Sequence, residues 1–378
     1  MSAPRVGGRA GIAAEPDPDL RRLLVRMGEL GASDLHLGCG APPVFRVDGR
    51  LKRDGASGGA GADGDGLFPG SDRILLSLLS ETQRKILERA CHVDAAFRVE
   101  GEARYRANIF HRLGGLAAAI RRIPLEIPPL AALGLPPALE KLALKPHGLV
   151  LVTGPTGCGK STTMAALVDR LNREKALHIV TLEDPIEFVH AARRSLITQR
   201  EIGRHAHDFC GALKYALRQD PDVVLIGELR DPDTIGAALT MAETGHLVLA
   251  TLHTNSAVES VSRMVDAFPG DQRDRTRSQL AHVLEGVLTQ RLLPRANGKG
   301  RVCAVELMIC TSAIRTVIRD DKLHQAQSLI QTSRGSGMRT MAESLRALCL
   351  RGDLAPEEAL RHVDDQGAFM RTLGDPWG

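Results

Sequence analysis

The sequence predicts an α/β chain of two domains, a small α+β unit and a larger one built on a parallel sheet with a helical C-terminal part. Three observations predict it. Between residue 20 and Ile123, alternation of apolar and polar residues is mixed with stripes at helical spacing. Residues 124–137 then carry five prolines, the composition of a linker. From about residue 138, short apolar runs alternate with helical segments, as in strands joined by crossover helices.

Taken in order, residues 1–19 are rich in Gly, Ala and Pro and read as disordered. Leu20, Leu23, Leu24, Met27 and Leu30 repeat at helical spacing, and Gly31 ends that segment. Ser33–Leu37 and Val44–Val47 alternate as strands, with Asp48-Gly49 as a hairpin turn into Arg50 and Leu51. The glycine-rich run 54–66 reads as a flexible insertion. A single helix is expected over Leu75–Leu87, and strands over 94–99, 103–110 and 116–123. The small domain is thus 20–123, the linker 124–137, the larger domain 138–310 and the C-terminal helices 311–378. In the larger domain strands are expected at 148–153, 178–183, 223–227 and 247–252, and helices at 161–173, 208–218 and 232–243. Beyond residue 255 the pattern is mostly helical, apart from a hairpin around Asn297-Gly298 joining 287–293 to 302–309.

Composition narrows the function classes. Apolar residues are 43% and aromatics only 3%, too few aromatics for a surface that reads single strands by stacking on bases. The net charge of +4 demands neither nucleic acid nor a membrane surface, and no nucleic-acid partner is expected. The seven cysteines form no CxxC pair and are odd in number, which suits reduced thiols. Arg5 and Arg9 precede no apolar signal core, and no apolar run approaches the ~18 residues of a membrane span. A cytoplasmic protein is expected.

The chemistry collects around Gly148–Leu167. Gly154-Pro155-Thr156-Gly157-Cys158-Gly159-Lys160-Ser161 fits the P-loop pattern, flanked by an apolar strand and by a helix that opens near Thr162. The glycines allow a turn whose N–H groups cradle phosphate oxygens. Lys160 then reaches the β- and γ-phosphates of a nucleoside triphosphate, and the Ser161 hydroxyl is placed to ligate Mg²⁺. Open parallel sheets hold ligands at the carboxyl ends of their strands. The next three strands end in Glu183-Asp184 with Glu187 beyond, in Glu228 with Arg230 and Asp231, and in His253. Glu228 suits Mg²⁺, held directly or through water. The carboxylates at 183, 184 and 187 offer a general base. His253 lies at the ligand edge, whereas His246, roughly 23 Å away along an extended strand, suits a structural or subunit contact. Arg104 and Arg106 share a strand face, and Arg121 and Arg122 end the next strand. They form either a solvated basic face or the positive charge that phosphoryl transfer requires.

GPTGCGKST, TLEDPIEFVH, VVLIGELRD and TGHLVLATLHTNSA, in this order, resemble the secretion ATPase superfamily of type II and type IV secretion and type IV pili. The likeness runs from Gly31 to about Leu354. Within that superfamily the chain resembles the type IV pilus retraction (twitching-motility) ATPases. It begins almost at GASDLHL and lacks the tetracysteine zinc motif of assembly ATPases. Ala313–Asp320 is similar to their AIRNLIRE motif, departing at Thr316, Val317 and Asp320. On a helix Ile314, Val317 and Ile318 form an inward stripe, while Arg315 and Arg319 project together.

The resemblance implies a PAS-like N-terminal domain, a RecA-like ATPase domain and a homohexameric ring. It implies that Glu187 is the catalytic glutamate, that Glu228 is the Walker-B carboxylate, and that Arg104, Arg106 and Arg121 reach the nucleotide. The expected activity is ATP hydrolysis that drives pilus retraction from the cytoplasmic face of the inner membrane. The expected partners are a platform protein and a paralogous retraction ATPase. The alternatives are an accessory retraction paralogue, another secretion-system ATPase, a non-hydrolysing nucleotide switch, or a helicase on the same core. Two departures stand apart: Cys158 replaces a common Ser, which makes an oxidisable loop an expectation, and the 54–66 insertion has no derived role.

Overall fold

The computed structural model describes residues 17–38, 41–53, 70–99, 103–123 and 126–374. Residues 1–16, the 54–66 insertion and the start of the expected linker at Pro124 lie outside the described residues. The chain divides into two compact units, Met1–Glu126 and Ile127–Gly378.

In the first unit, α1 (Pro18–Glu29) starts where the Asp17 carboxylate caps the Asp19 N–H at 3.1 Å. Next come β1 (Asp34–Gly38), β2 (Ala41–Val47) and β3 (Arg50–Arg53). The turn between β2 and β3 places Asp48 and Gly49 at φ 50° and 83°, which their residue types tolerate. The expected single helix over 75–87 is instead two, α2 (Ser71–Ser77) and α3 (Glu81–Ala90). Ser80 forms a capping box with Gln83 and restarts the helix there. β4 (His92–Val99), β5 (Ala103–Arg112) and β6 (Gly115–Ile123) complete an antiparallel sheet in the order β3-β2-β1-β6-β5-β4. Alternation sends Leu35, Phe45, Phe97, Tyr105 and Ile120 into one core with Leu20, Leu24 and Met27 of α1. This is the PAS-like α+β arrangement.

The second unit opens with α4 (Pro137–Ala143), β7 (Gly148–Thr153), α5 (Lys160–Glu174), β8 (His178–Glu183) and β9 (Leu196–Glu201). It continues with α6 (Phe209–Ala216), β10 (Val223–Ile226), α7 (Pro232–Glu243), β11 (Leu247–Leu252), α8 (Ala257–Asp266) and α9 (Gly270–Val283). β12 (Leu284–Pro294), β13 (Arg301–Ile309), α10 (Ser312–Arg319), α11 (Ala326–Thr332), α12 (Met341–Leu350), α13 (Pro356–Leu360) and α14 (Gln366–Leu373) end it. The sheet order is β13-β12-β7-β11-β10-β8-β9, parallel except for the β12–β13 hairpin. Every residue of β7 and β11 is buried, because apolar layers cover both faces of the sheet. No helix among the described residues is long and apolar enough to cross a membrane.

Strand β9 is not among the expected strands, and two further placements differ from the sequence reading. Residues 127–137 do not hang free: Ile127, Leu130, Leu133 and Leu135 pack with Leu139, Leu142 and Leu167. The prolines stiffen this segment but leave those side chains free to bury. Arg315 and Arg319 also part company. Arg315 donates to Glu285 Oε1 at 2.7 Å and to the carbonyls of Ala281 and His282, while Arg319 stays 57% exposed. Glu285, only 8% exposed, takes a second cation from Lys145 at 2.7 Å, so its charge draws Arg315 inward.

Candidate functional site

The loop between β7 and α5 has its glycines where backbone geometry needs them. Gly154 has φ 137°, and a Cβ there would lie 2.3 Å from the Gln290 carbonyl oxygen and 2.7 Å from the Cys158 sulfur. Gly157 and Gly159 stand at φ 81° and 96° with open space beside them. Pro155, Thr156 and Gly157 crest the loop in solvent, Cys158 turns inward, and Ser161 is exposed at the start of α5. Cys158 is 3% exposed, and burial pushes its thiol above the ordinary range. The expected oxidisable thiol is therefore a poorly ionised, shielded one.

Lys160 lies within the curve of the loop, donating to the carbonyls of Gly154 at 2.7 Å and Pro155 at 3.2 Å. Its ammonium also faces His253 Nδ1 at 3.4 Å, and His253 Nε2 lies 3.3 Å from Glu228 Oε1. A lysine ammonium only donates, so Nδ1 accepts and the ring proton is assigned to Nε2, which donates to Glu228. Burial draws the Lys160 ammonium down, opposed by Glu228 and Glu187 among its neighbours. Glu228 Oε2 accepts from Arg230 Nε at 2.8 Å. Burial works against its charge, but Arg230 and His253 prevail and hold the carboxyl below its ordinary value. Asp231 instead caps α7 through the Thr234 N–H at 2.8 Å, and His246 bonds back to the Met241 carbonyl at 3.0 Å.

Glu183 accepts from Thr181 at 2.6 Å, from Gln199 at 3.2 Å and from the backbone N–H of Glu187. Burial raises its carboxyl, and these bonds only partly offset that. The structure thus gathers Lys160, His253 and Glu228 in one chain of contacts at the strand ends, with Glu187 near enough to weigh on the charge of Lys160. Among the described residues no group of three or more His, Cys, Asp or Glu could hold a metal. A divalent cation here would draw mainly on hydroxyl, carboxylate, water and phosphate oxygens, as Mg²⁺ does.

A cavity of about 520 Å³ adjoins the loop, lined by Cys158, Thr162, Gln290, Cys303, Leu348 and Arg351 among others. Arg295, which also lines it, pairs with Asp353 at 2.5 Å. Its size falls in the range of small-molecule sites, and its walls mix apolar and guanidinium groups.

The arginines at 104, 106 and 121 belong to the first unit. Arg106 and Arg121 are directly opposite across β5 and β6, and Arg104 shares their face, whereas Arg122 falls on the other face opposite Tyr105. Arg121 donates to Asp34 Oδ1 at 2.8 Å, and Arg106 lies 3.7 Å from Asp94. Sequence reasoning missed Asn172, Gln199 and the buried hydroxyls of Thr153 and Thr289, which meet at 2.9 Å. Asn172 alone left a signal, and a weak one: an Asn in the last turn of a helix, where its amide is able to bond to neighbouring backbone.

The family described as type II/IV secretion system protein matches residues 119–361. The chain is 44% identical over 345 residues to the type IV pilus retraction ATPase PilT of Pseudomonas aeruginosa, covering 90% of this chain and 97% of that protein. It is 47% identical over 292 residues to a twitching motility protein of Neisseria gonorrhoeae, covering 77% of this chain and 78% of the relative. A crystal structure of the pilus retraction motor PilT with bound ADP superposes with a TM-score of 0.80 at 43% identity, covering 93% of this chain and 98% of that one. On that breadth of match, the chain belongs to the type II/IV secretion system protein family, on its pilus-retraction ATPase branch.

Proposed function

We propose that this chain hydrolyses ATP as a homohexameric ring at the cytoplasmic face of the inner membrane and drives pilin depolymerisation, the retraction stroke of a type IV pilus. The observation that carries the reading is the contact chain Lys160–His253–Glu228 at the mouth of a P-loop whose three glycines take positive φ, Gly154 also leaving no room for a Cβ. The N–H groups from Gly154 to Thr162, except at Pro155, which has none, cradle the phosphates, with the base in the adjoining cavity. Lys160 and His253 face the γ-phosphate, and Glu187 orients the attacking water for in-line displacement. Mg²⁺, when bound, neutralises phosphate charge. Ser161 would offer it a hydroxyl, and Glu228, whose two oxygens already meet Arg230 and His253, would hold it directly or through water. Arg104, Arg106 and Arg121 supply further positive charge, a platform protein receives the stroke, and a paralogous retraction ATPase is a further partner.

The test is Glu187→Ala. It retains ATP affinity while kcat for phosphate release falls about 10²- to 10⁴-fold, and cells carrying it are hyperpiliated and do not twitch. Unchanged turnover removes Glu187 from the mechanism. Bald cells on deletion of the protein point to assembly rather than retraction.

A further inference from the structure

Glu187 sits in the connection 184–195 between β8 and β9, which has no helix or strand of its own. A connection of that length keeps one shape only if other groups hold it. Two amide side chains do so here. Gln199, on β9, donates to the Phe188 carbonyl at 2.8 Å and accepts from the His190 N–H at 2.9 Å, immediately after Glu187. Asn172, with 0% exposure, lies on α5, the helix that begins at Lys160. Its Nδ2 donates to the Ala191 carbonyl at 2.8 Å, and its Oδ1 accepts from the N–H of Arg193 at 3.0 Å and of Ser195 at 3.4 Å. Its backbone carbonyl takes the Arg194 N–H at 2.9 Å.

One amide therefore ties the connection to the sheet edge, and the other ties it to the helix that carries the P-loop lysine. Asn favours caps and turns over regular helix, and in the last turn of α5 the amide of Asn172 is fully used by the connection. We propose that Asn172 and Gln199 are positioning residues that hold Glu187 at a set distance from the P-loop, so that its carboxylate meets the attacking water without reorganisation. The proposal rests on the role of Glu187 given above.

The test uses the full chain, with steady-state phosphate release and ATP affinity measured for Gln199→Ala and Asn172→Ala, each alone and with Glu187→Gln. Alone, each lowers kcat about 10- to 100-fold, the scale of a misplaced group about 1 Å out of position. ATP affinity stays within about twofold. In the Glu187→Gln background the same substitutions change the residual turnover by less than about twofold, because the group they position no longer acts. Equal fold-losses in both backgrounds, or a loss confined to ATP affinity, overturn the proposal and leave Glu187 its role. Wild-type turnover in Glu187→Gln alone overturns both. Gln199 is only partly buried, so its variants carry the test even where Asn172→Ala fails to fold.

Discussion

Burial pushes the pKa of His190 from 6.5 down to about 4, and the nearby Asp169 only partly opposes it. Above pH 6.5 the ring is neutral in folded and unfolded chains alike, so it makes no pH-dependent contribution there. Between pH 6.5 and about 4 the unfolded chain binds a proton that the folded chain refuses. Stability therefore falls as pH falls through that window, by on the order of 2–3 kcal/mol from this residue. His190→Asn flattens the pH dependence of Tm between pH 6.5 and 4, and equal slopes in the two proteins would remove His190 as a cause. Residues of this kind are hard to read in advance. The spacing around His190 announces nothing, because its burial depends on α5, whose Asp169 is remote in sequence. Lys160 and Gly154 were legible because their chemistry is local, a turn with positive φ and a lysine at the start of a helix.

At the scale of elements, α10 separates two arginines that one helical turn places together. Arg315 ties α10 to the end of α9 and to Glu285 at the start of β12, whereas Arg319 remains exposed. Arg315→Ala leaves the buried Glu285 with Lys145 alone and costs about 1–3 kcal/mol, discounted for the partial exposure of Arg315. Arg319→Ala changes stability by less than about 0.5 kcal/mol. Urea unfolding of the two variants checks the contrast, and equal losses would show that α10 is not held through Arg315. Strand β9 escaped the sequence reading because an edge strand has one pairing partner and a mostly half-exposed face, so its apolar signal is weak. The break between α2 and α3 could have been read from Ser80 and Gln83, since a capping box is local information.

For the whole molecule, apolar burial falls into separate sets. Among the described residues, one core uses only residues 20–120, and the others only residues from 127 onward. A fragment 127–378 is therefore expected to melt cooperatively and to bind ATP, since the P-loop, His253 and Glu228 all lie within it. Circular dichroism melts and nucleotide titrations check this, and an unfolded fragment would show that the second unit depends on the first. Beginning that fragment at residue 138, where the linker was expected to end, removes Leu130 and Leu133 from beneath α5 and destabilises it. By itself the sequence determined the α/β class, the P-loop and the polar residues at the strand ends, because periodicity, glycine placement and the ends of apolar runs are properties of neighbours along the chain. Only the tertiary structure decided that β12 flanks β7, that Glu285 captures Arg315, and that Asn172 and Gln199 hold the segment of Glu187. Those contacts join residues far apart in sequence, and which polar side chain meets which is settled only when the packed layers bring them together.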